Sequence, residues 1–333
     1  MADDGDDRGR MDLVSRRRLV LVSGRSHPEL AGEVARRLDV SLVGAHLREF
    51  ADGEIHARYE ESIRGADVFI IQTHTRPVND SLMEQLIMVD AAKRASAKRI
   101  TVVCPYYGYS RQDRKASGRE PITAKLVADL LSTAGATRVV SVDLHSGQIQ
   151  GFFDFPVDHL TASPVLVEYL RREASSDVVV VSPDAGRVKV AERFSQQLGA
   201  DLAFVHKRRP PGSANVVEAL EVIGSVAGRR CVVIDDMIDT AGTMCAAAER
   251  LVEEGASDVW AMCTHALLSD PASKRLEAAP ISRVVVTNTL PLPAERRIDK
   301  LEVLSIAEVI AAAIDAVFED SSVSRIFGGQ NLS

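Results

Sequence analysis

The sequence holds no CxxC pair: its four cysteines, Cys104, Cys231, Cys245 and Cys263, stand apart, three of them in apolar or helical runs. That spacing argues against disulfides or zinc and predicts buried free thiols in a reducing cytosol. There is no long apolar run either. Residues 1–17 are dominated by Asp and Arg, and Leu19–Val22 is too short for a signal segment or a membrane span. The chain therefore reads as soluble and cytoplasmic, with no membrane partner. It also lacks an excess of positive charge. A net charge of −7 argues against a nucleic-acid partner held by phosphate neutralisation, while leaving room for a local basic pocket. A GxxxxGK[ST] loop is missing, which excludes a Walker A cradle. No solenoid-length repeat or low-complexity tract occurs.

What remains is globular material: 333 residues, 46% hydrophobic, enough for two domains of roughly 150 residues. Strand-like runs (Leu19–Ser23, Val68–Gln72, Ile100–Cys104, Val139–Val142, Val178–Val181, Leu202–Val205, Cys231–Ile234, Val259–Cys263, Val284–Val286) alternate with helical patterns (Ser81–Ala95, Thr123–Ala134, Pro164–Arg172, Val188–Leu198). Such alternation predicts α/β architecture: two similar units, each a mainly parallel sheet flanked by helices. Ligands gather at the carboxyl ends of such strands. The predicted division is a disordered tail over 1–17, one unit over 18–162, a second over 163–305, a helix within 306–327 that packs on the first unit, and a tail over 328–333.

The most informative stretch is Val232–Thr243. A β-branched run breaks into the adjacent carboxylates Asp235 and Asp236. Asp239, Thr240, Ala241, Gly242 and Thr243 then form a turn, followed by a helical run from Met244 to Glu254 closed by Gly255. Backbone N–H groups and Thr hydroxyls at a helix N-terminus suit a phosphate dianion. Carboxylates repel phosphate, so Asp235 and Asp236 are assigned to ribose hydroxyls or a hydrated Mg²⁺. The plain alternative is an ordinary strand-to-helix turn with Asp at its cap.

Five further segments carry candidate chemistry. Phe50-Ala51-Asp52-Gly53-Glu54 offers a ring to stack on a purine and two carboxylates for its amine or for ribose, or else a simple Asp-Gly turn. Tyr106–Lys115, with Arg111 and Gln112, offers stacking and phosphate contacts, or a solvated basic loop. At Asp143–Phe153, His145 suits a metal or a phosphate, with Asp143 placed to set its tautomer, or is merely a satisfied hydrogen-bonder. Asp184 in Ser182–Gly186 suits Mg²⁺, or caps the next helix. Lys207-Arg208-Arg209-Pro210 supplies cations for charge developing in phosphoryl transfer, or is surface charge.

The Asp-Thr-Ala-Gly-Thr turn resembles the phosphoribosyl diphosphate (PRPP) motif of type I phosphoribosyltransferases and of ribose-phosphate diphosphokinases. Taken with the five other segments, the order and spacing over residues 17–327 resemble the diphosphokinases, whose likeness extends to His27–Ala31, Asn79–Glu84, Lys93–Lys98 and Val286–Thr289. The resemblance implies two phosphoribosyltransferase-like domains and transfer of a diphosphoryl group from ATP to ribose 5-phosphate. The product serves nucleotide, histidine and tryptophan biosynthesis. It implies ATP bound by Phe50, Asp52, Gly53, Glu54, Arg111 and Gln112, and Mg²⁺ at His145 and Asp184. Lys207 and Arg209 would be catalytic, and Arg209, Asp235, Asp236 and Asp239–Thr243 would hold ribose 5-phosphate. It further implies an ATP site shared between subunits of a homohexamer, and inorganic phosphate as activator near Ser322–Ser324. Two positions depart from the usual pattern. Arg187 stands where many members carry Gly, and Ser117 where phosphate-activated members carry a basic residue. A PRPP-consuming transferase and a non-catalytic regulatory subunit are the rival expectations.

Overall fold

The computed structural model describes residues 17–174, 177–208 and 219–327. The expected tails, Arg17 apart, lie outside them, as does Arg209.

The chain opens with β1 (Leu19–Ser23) and α1 (Pro28–Arg37), whose Pro28 sits in the first turn and whose Arg36 and Arg37 complement the last. β2 (Ala45–Glu49) and β3 (Ile55–Tyr59) pair as an antiparallel hairpin separate from the main sheets. β4 (Asp67–Ile71), α2 (Val78–Arg94), β5 (Arg99–Cys104), α3 (Thr123–Ala134), β6 (Arg138–Val142) and β7 (Val157–Leu160) complete the first unit. Its five strands run parallel in the order β1-β4-β5-β6-β7. α4 (Ser163–Glu173) then leads to β8 (Val178–Ser182), α5 (Val188–Leu198), β9 (Asp201–Arg208) and β10 (Ala219–Ile223). These are followed by β11 (Arg230–Ile238), α6 (Gly242–Glu253), β12 (Asp258–Ala266), α7 (Ala272–Ala278), β13 (Arg283–Thr287), β14 (Leu301–Leu304) and α8 (Ala307–Phe318). The second sheet, ordered β10-β9-β8-β11-β12-β13-β14, is parallel except where β10 meets β9.

The central strands β4, β5, β8 and β11 are buried on both faces and so read as continuous apolar runs. Three hydrophobic layers hold the fold. One lies between the sheets, joining Leu21, Phe69 and Val140 to Val180, Val232 and Met262 through Leu30, Leu166, Phe194 and Ile310 of the intervening helices. The other two cover the outer faces, α2 and α3 on the first sheet and α6 and α7 on the second. α8 returns to pack on α1. Buried polar links fasten the two sheets near their carboxyl edges. Thr73 donates to the Thr289 carbonyl at 2.8 Å, Thr264 donates to Asp143 Oδ2 at 2.6 Å, and His27 Nε2 lies 2.9 Å from the Asn288 carbonyl.

Two local expectations are corrected. The strand expected to stop at Ile234 continues through Ile238, so Asp235 and Asp236 are strand residues with β12 pairing beside them. The helix begins at Gly242 rather than Met244.

Candidate active site

Both carboxylates of β11 lie within reach of one guanidinium, that of Arg187. Asp236 is 7% exposed; its Oδ2 lies 2.8 Å from His145 Nδ1 and 2.8 Å from Arg187 Nη2. Asp235 accepts the Asp236 backbone N–H at 2.8 Å, and Arg187 Nε lies 3.4 Å from its Oδ1. Burial and the neighbouring carboxylate push Asp235 up to about 8. Burial acts on Asp236 as well, but the His145 hydrogen bond and the Arg187 charge outweigh it and hold that carboxyl down at about 2. Asp236 is thus the fixed anion of the pair. His145 takes its orientation from Asp236, which corrects the expectation that Asp143 sets its tautomer. Asp143 faces away, accepting from the Ala162 N–H and the Thr264 hydroxyl.

The turn after β11 carries the second set. Ala241 adopts a left-handed φ of 60°, a conformation costly for a residue with a Cβ. The positive φ that a Gly in this turn would be expected to supply therefore falls one residue before Gly242. A Cβ on Gly242 would meet only Arg275 Nη1 at 3.4 Å, ordinary contact distance, so room toward the cavity is what this glycine provides. No side chain caps α6, leaving its first N–H groups and the positive helix end directed at the turn. A cavity of about 270 Å³ sits there, lined by Arg111, His145, Asp184, Arg187 and the run Asp235–Met244.

Asp184 lines this cavity while its Oδ1 accepts the N–H groups of Gly186 and Arg187 at 2.8 and 3.2 Å, so it also shapes its own turn. Among the described residues no group of three or more His, Cys, Asp or Glu could hold a metal. Mg²⁺ keeps several waters and needs only one or two carboxylates beside substrate phosphates. His145 and Asp184 on one cavity wall fit that demand.

Arg111 Nη1 donates to Asp239 Oδ2 at 2.7 Å, joining the first unit's loop to the second unit's turn. Arg111 and Asp239 also line a larger cavity, about 450 Å³, with Gln112, Tyr106, Tyr109 and Asn79. The two cavities meet at this ion pair. The Arg111 loop rests on a buried histidine the sequence reading passed over. The Gly108 N–H donates to His74 Nδ1 at 2.9 Å, so the ring's N–H is on Nε2, 2.8 Å from Gln85 Oε1. Burial lowers His74 to about 4, keeping it neutral for this role. Its signal in the sequence was its place just beyond the end of β4.

Phe50, Asp52, Gly53 and Glu54 form the tip of the β2–β3 hairpin. Gly53 takes a φ of 93°, the Glu54 N–H donates to Asp52 Oδ1 at 3.1 Å, and the Arg48 guanidinium lies 4.7 Å from the Phe50 ring. None of the four lines either cavity. Lys207 belongs to β9, opposite Leu220 of β10; its side chain, like all of Arg209, lies outside the described residues.

Known proteins resemble the whole of this arrangement. Residues 19–135 match the N-terminal domain of ribose phosphate pyrophosphokinase, and residues 207–328 match the phosphoribosyl synthetase-associated domain. The chain is 56% identical over 315 residues to the ribose-phosphate pyrophosphokinase of Streptomyces coelicolor, covering 94% of this chain and 97% of that one. It belongs to the ribose-phosphate pyrophosphokinase family. The Mycobacterium tuberculosis member is 54% identical over 317 residues, covering 95% and 97% of the two chains. The crystal structure of phosphoribosylpyrophosphate synthetase from Mycobacterium smegmatis superposes with a TM-score of 0.87 at 52% identity, over 92% of this chain and all of that one. With this likeness the α/β fold of paired phosphoribosyltransferase-like sheets stands, and the chain is an enzyme.

Proposed function

We propose that the chain transfers the β,γ-diphosphoryl group of ATP to the C1 hydroxyl of D-ribose 5-phosphate. The C1 oxygen bonds to the β-phosphorus and gives up its hydroxyl proton to solvent, the bond between that phosphorus and the α-phosphate bridging oxygen breaks, and AMP leaves with PRPP as the other product. The observation that carries this reading is the meeting of two cavities at Arg111 and Asp239: one with a phosphate turn at a helix N-terminus, one of nucleotide size. The first takes ribose 5-phosphate on Asp239–Thr243, with Asp235 for its hydroxyls. The second takes ATP on Arg111 and Gln112. His145, oriented by Asp236, and Asp184 would hold Mg²⁺, which supplies charge neutralisation on the polyphosphate. Lys207 and Arg209 are assigned to the charge developing in transfer. No side chain of the cluster is needed as a strong base, since positioning and charge stabilisation carry phosphoryl transfer.

The Phe50–Glu54 tip completes the ATP site of a second copy. That it lines neither cavity supports this. So does an exposed apolar stripe of Ile122, Leu126 and Leu130 along α3, with Met83 on α2. A homohexamer, a cytoplasmic location, phosphate activation through the Ser322–Ser324 segment and units spanning 18–162 and 163–305 belong to the same reading. No helix among the described residues is long and apolar enough to cross a membrane. The test is an assay for AMP release by the purified chain. Release that requires ribose 5-phosphate supports the reading. A transferase that consumes PRPP, or a catalytically silent subunit, gives none.

A further inference from the structure

The turn after β11 is held from behind by a residue that lines neither cavity, Arg275 of α7. Ala272 and Leu276, both fully buried, seat α7 in the outer layer of the second sheet, beside α6. From there Arg275 Nη1 donates to the Thr240 carbonyl at 3.0 Å, and it lies 3.4 Å from where a Cβ on Gly242 would stand. The side chain is exposed, yet its hydrogen bond falls on the peptide that enters the strained residue of the turn, Ala241, whose φ is 60°.

In a trans peptide such as Thr240–Ala241 the C=O and N–H lie in one plane and point in opposite directions. Fastening the Thr240 carbonyl to α7 therefore turns the Ala241 N–H the other way. Thr240 and Ala241 line the sugar-phosphate cavity and Arg275 stands outside it, so the other way is into the cavity. The N–H groups of Ala241, Gly242, Thr243 and Met244 have no acceptor within α6, and no side chain caps them. A phosphate binds such groups when they are aimed together. Without an anchor a residue with a Cβ relaxes out of the left-handed region, and its peptide turns with it. We propose that Arg275 is a positioning residue for the sugar phosphate: by holding the Thr240 carbonyl it keeps Ala241 left-handed and the Ala241 N–H among the donors that receive the phosphate. This rests on the reading that ribose 5-phosphate occupies the turn.

The experiment measures ribose 5-phosphate binding to the full-length protein by calorimetry, in the presence of Mg²⁺ and an ATP analogue whose α,β bridge is methylene. AMP release with ATP itself then gives kcat and KM. Arg275→Met removes the donor and should weaken ribose 5-phosphate binding, and raise its KM, about tenfold, the effect of one misaimed donor to a charged group. The kcat and the KM for ATP should stay nearly unchanged. Arg275→Ala carries the same expectation should the Met variant not fold. Arg275→Lys can still donate one hydrogen bond and should retain most of the affinity. Adding Ala241→Gly to Arg275→Met should restore it as well, because glycine takes a positive φ without an anchor. A general loss of charge or stability would not be repaired in that way. A folded Arg275→Met variant with wild-type affinity overturns the proposal, as does a loss that neither Arg275→Lys nor Ala241→Gly repairs. Gly242→Val, which blocks the turn itself, separates this from failure of the underlying reading. If Gly242→Val leaves ribose 5-phosphate affinity unchanged, the sugar phosphate lies elsewhere and both fall. If it weakens binding while Arg275→Met does not, the positioning role alone falls.

Discussion

The end of β11 and the tip of the β2–β3 hairpin both present a pair of acidic residues, and they are built in opposite ways. Asp236 is buried and cross-bonded to His145 and Arg187, each from another element. Among the described residues Asp52 bonds only within its own turn, beside a Phe50 that is 42% exposed. The first pair is preorganised by the fold around it; the second is displayed. A carboxylate fixed by neighbours contributes to stability as well as chemistry, whereas a displayed one costs the fold nothing when removed. Folding stability is therefore the axis along which the two regions should separate, and the expected effects fall in order along it.

The largest belongs to Asp236. Asp236→Ala leaves a buried guanidinium and a histidine without their shared anion, and breaking a buried charge pair from one side costs about 3–5 kcal/mol. Denaturant melts should show that loss, and AMP release should fall at least ~10²-fold because His145 loses its orientation. An unchanged melting curve would mean that the cluster is no more preorganised than the hairpin. Next is Gly108, under the Arg111 loop. A Cβ there would lie 2.8 Å from the His74 Cβ. Gly108→Ala should cost about 1–3 kcal/mol by overpacking and raise KM for ATP while leaving KM for ribose 5-phosphate nearly unchanged.

How much of this was legible in the sequence follows from the same contrast. Strands buried on both faces announce themselves: Val178–Val181 and Cys231–Ile234 are continuous apolar runs and form β8 and β11. The strands of the hairpin, together with β7 and β14, are half-exposed and mixed in composition, such as Ala45-His46-Leu47-Arg48-Glu49, and carry no periodic signal strong enough to separate them from loop. The site segments were visible because each follows a strand end. Their partners were not, since Asp236 meets His145 across 91 residues of chain and Arg111 meets Asp239 across 128. Spacing along a sequence holds no information about which of two carboxylates, Asp143 or Asp236, will face a histidine; the sheet-to-sheet packing decides it. Arg187 was noticed only as a departure from the usual Gly, and its three partners came from the fold.

A smaller effect, of the opposite sign, is expected at Gly242. Its φ lies outside the left-handed range and its Cβ position is open, so Gly242→Ala should raise stability by about 0.4–1 kcal/mol through the unfolded state. The added methyl nonetheless points a carbon into the turn where phosphate would approach. KM for ribose 5-phosphate should rise, and more steeply in Gly242→Val, with ATP affinity by calorimetry unchanged. Loss of ATP affinity instead would exchange the two cavities' occupants.

The smallest effect on stability is expected at the hairpin, and there it is the informative result. Asp52→Ala with Glu54→Ala should leave the melting curve within about 0.5 kcal/mol of wild type, as for exposed substitutions in general, yet abolish AMP release if the tip completes a neighbour's ATP site. Arg111→Ala with Gln112→Ala should be inactive too. Because the two defects lie on different chains at any one shared site, mixing the inactive variants creates some sites that carry both defects and some that carry neither. Partial activity should therefore return once subunits exchange, which a tagged pull-down verifies beforehand. Exchange without recovery would place the whole ATP site within one chain. The hairpin tip would then have to fold toward the Arg111 cavity, and the contrast between a fixed acidic pair and a displayed one would have to be explained without a second copy.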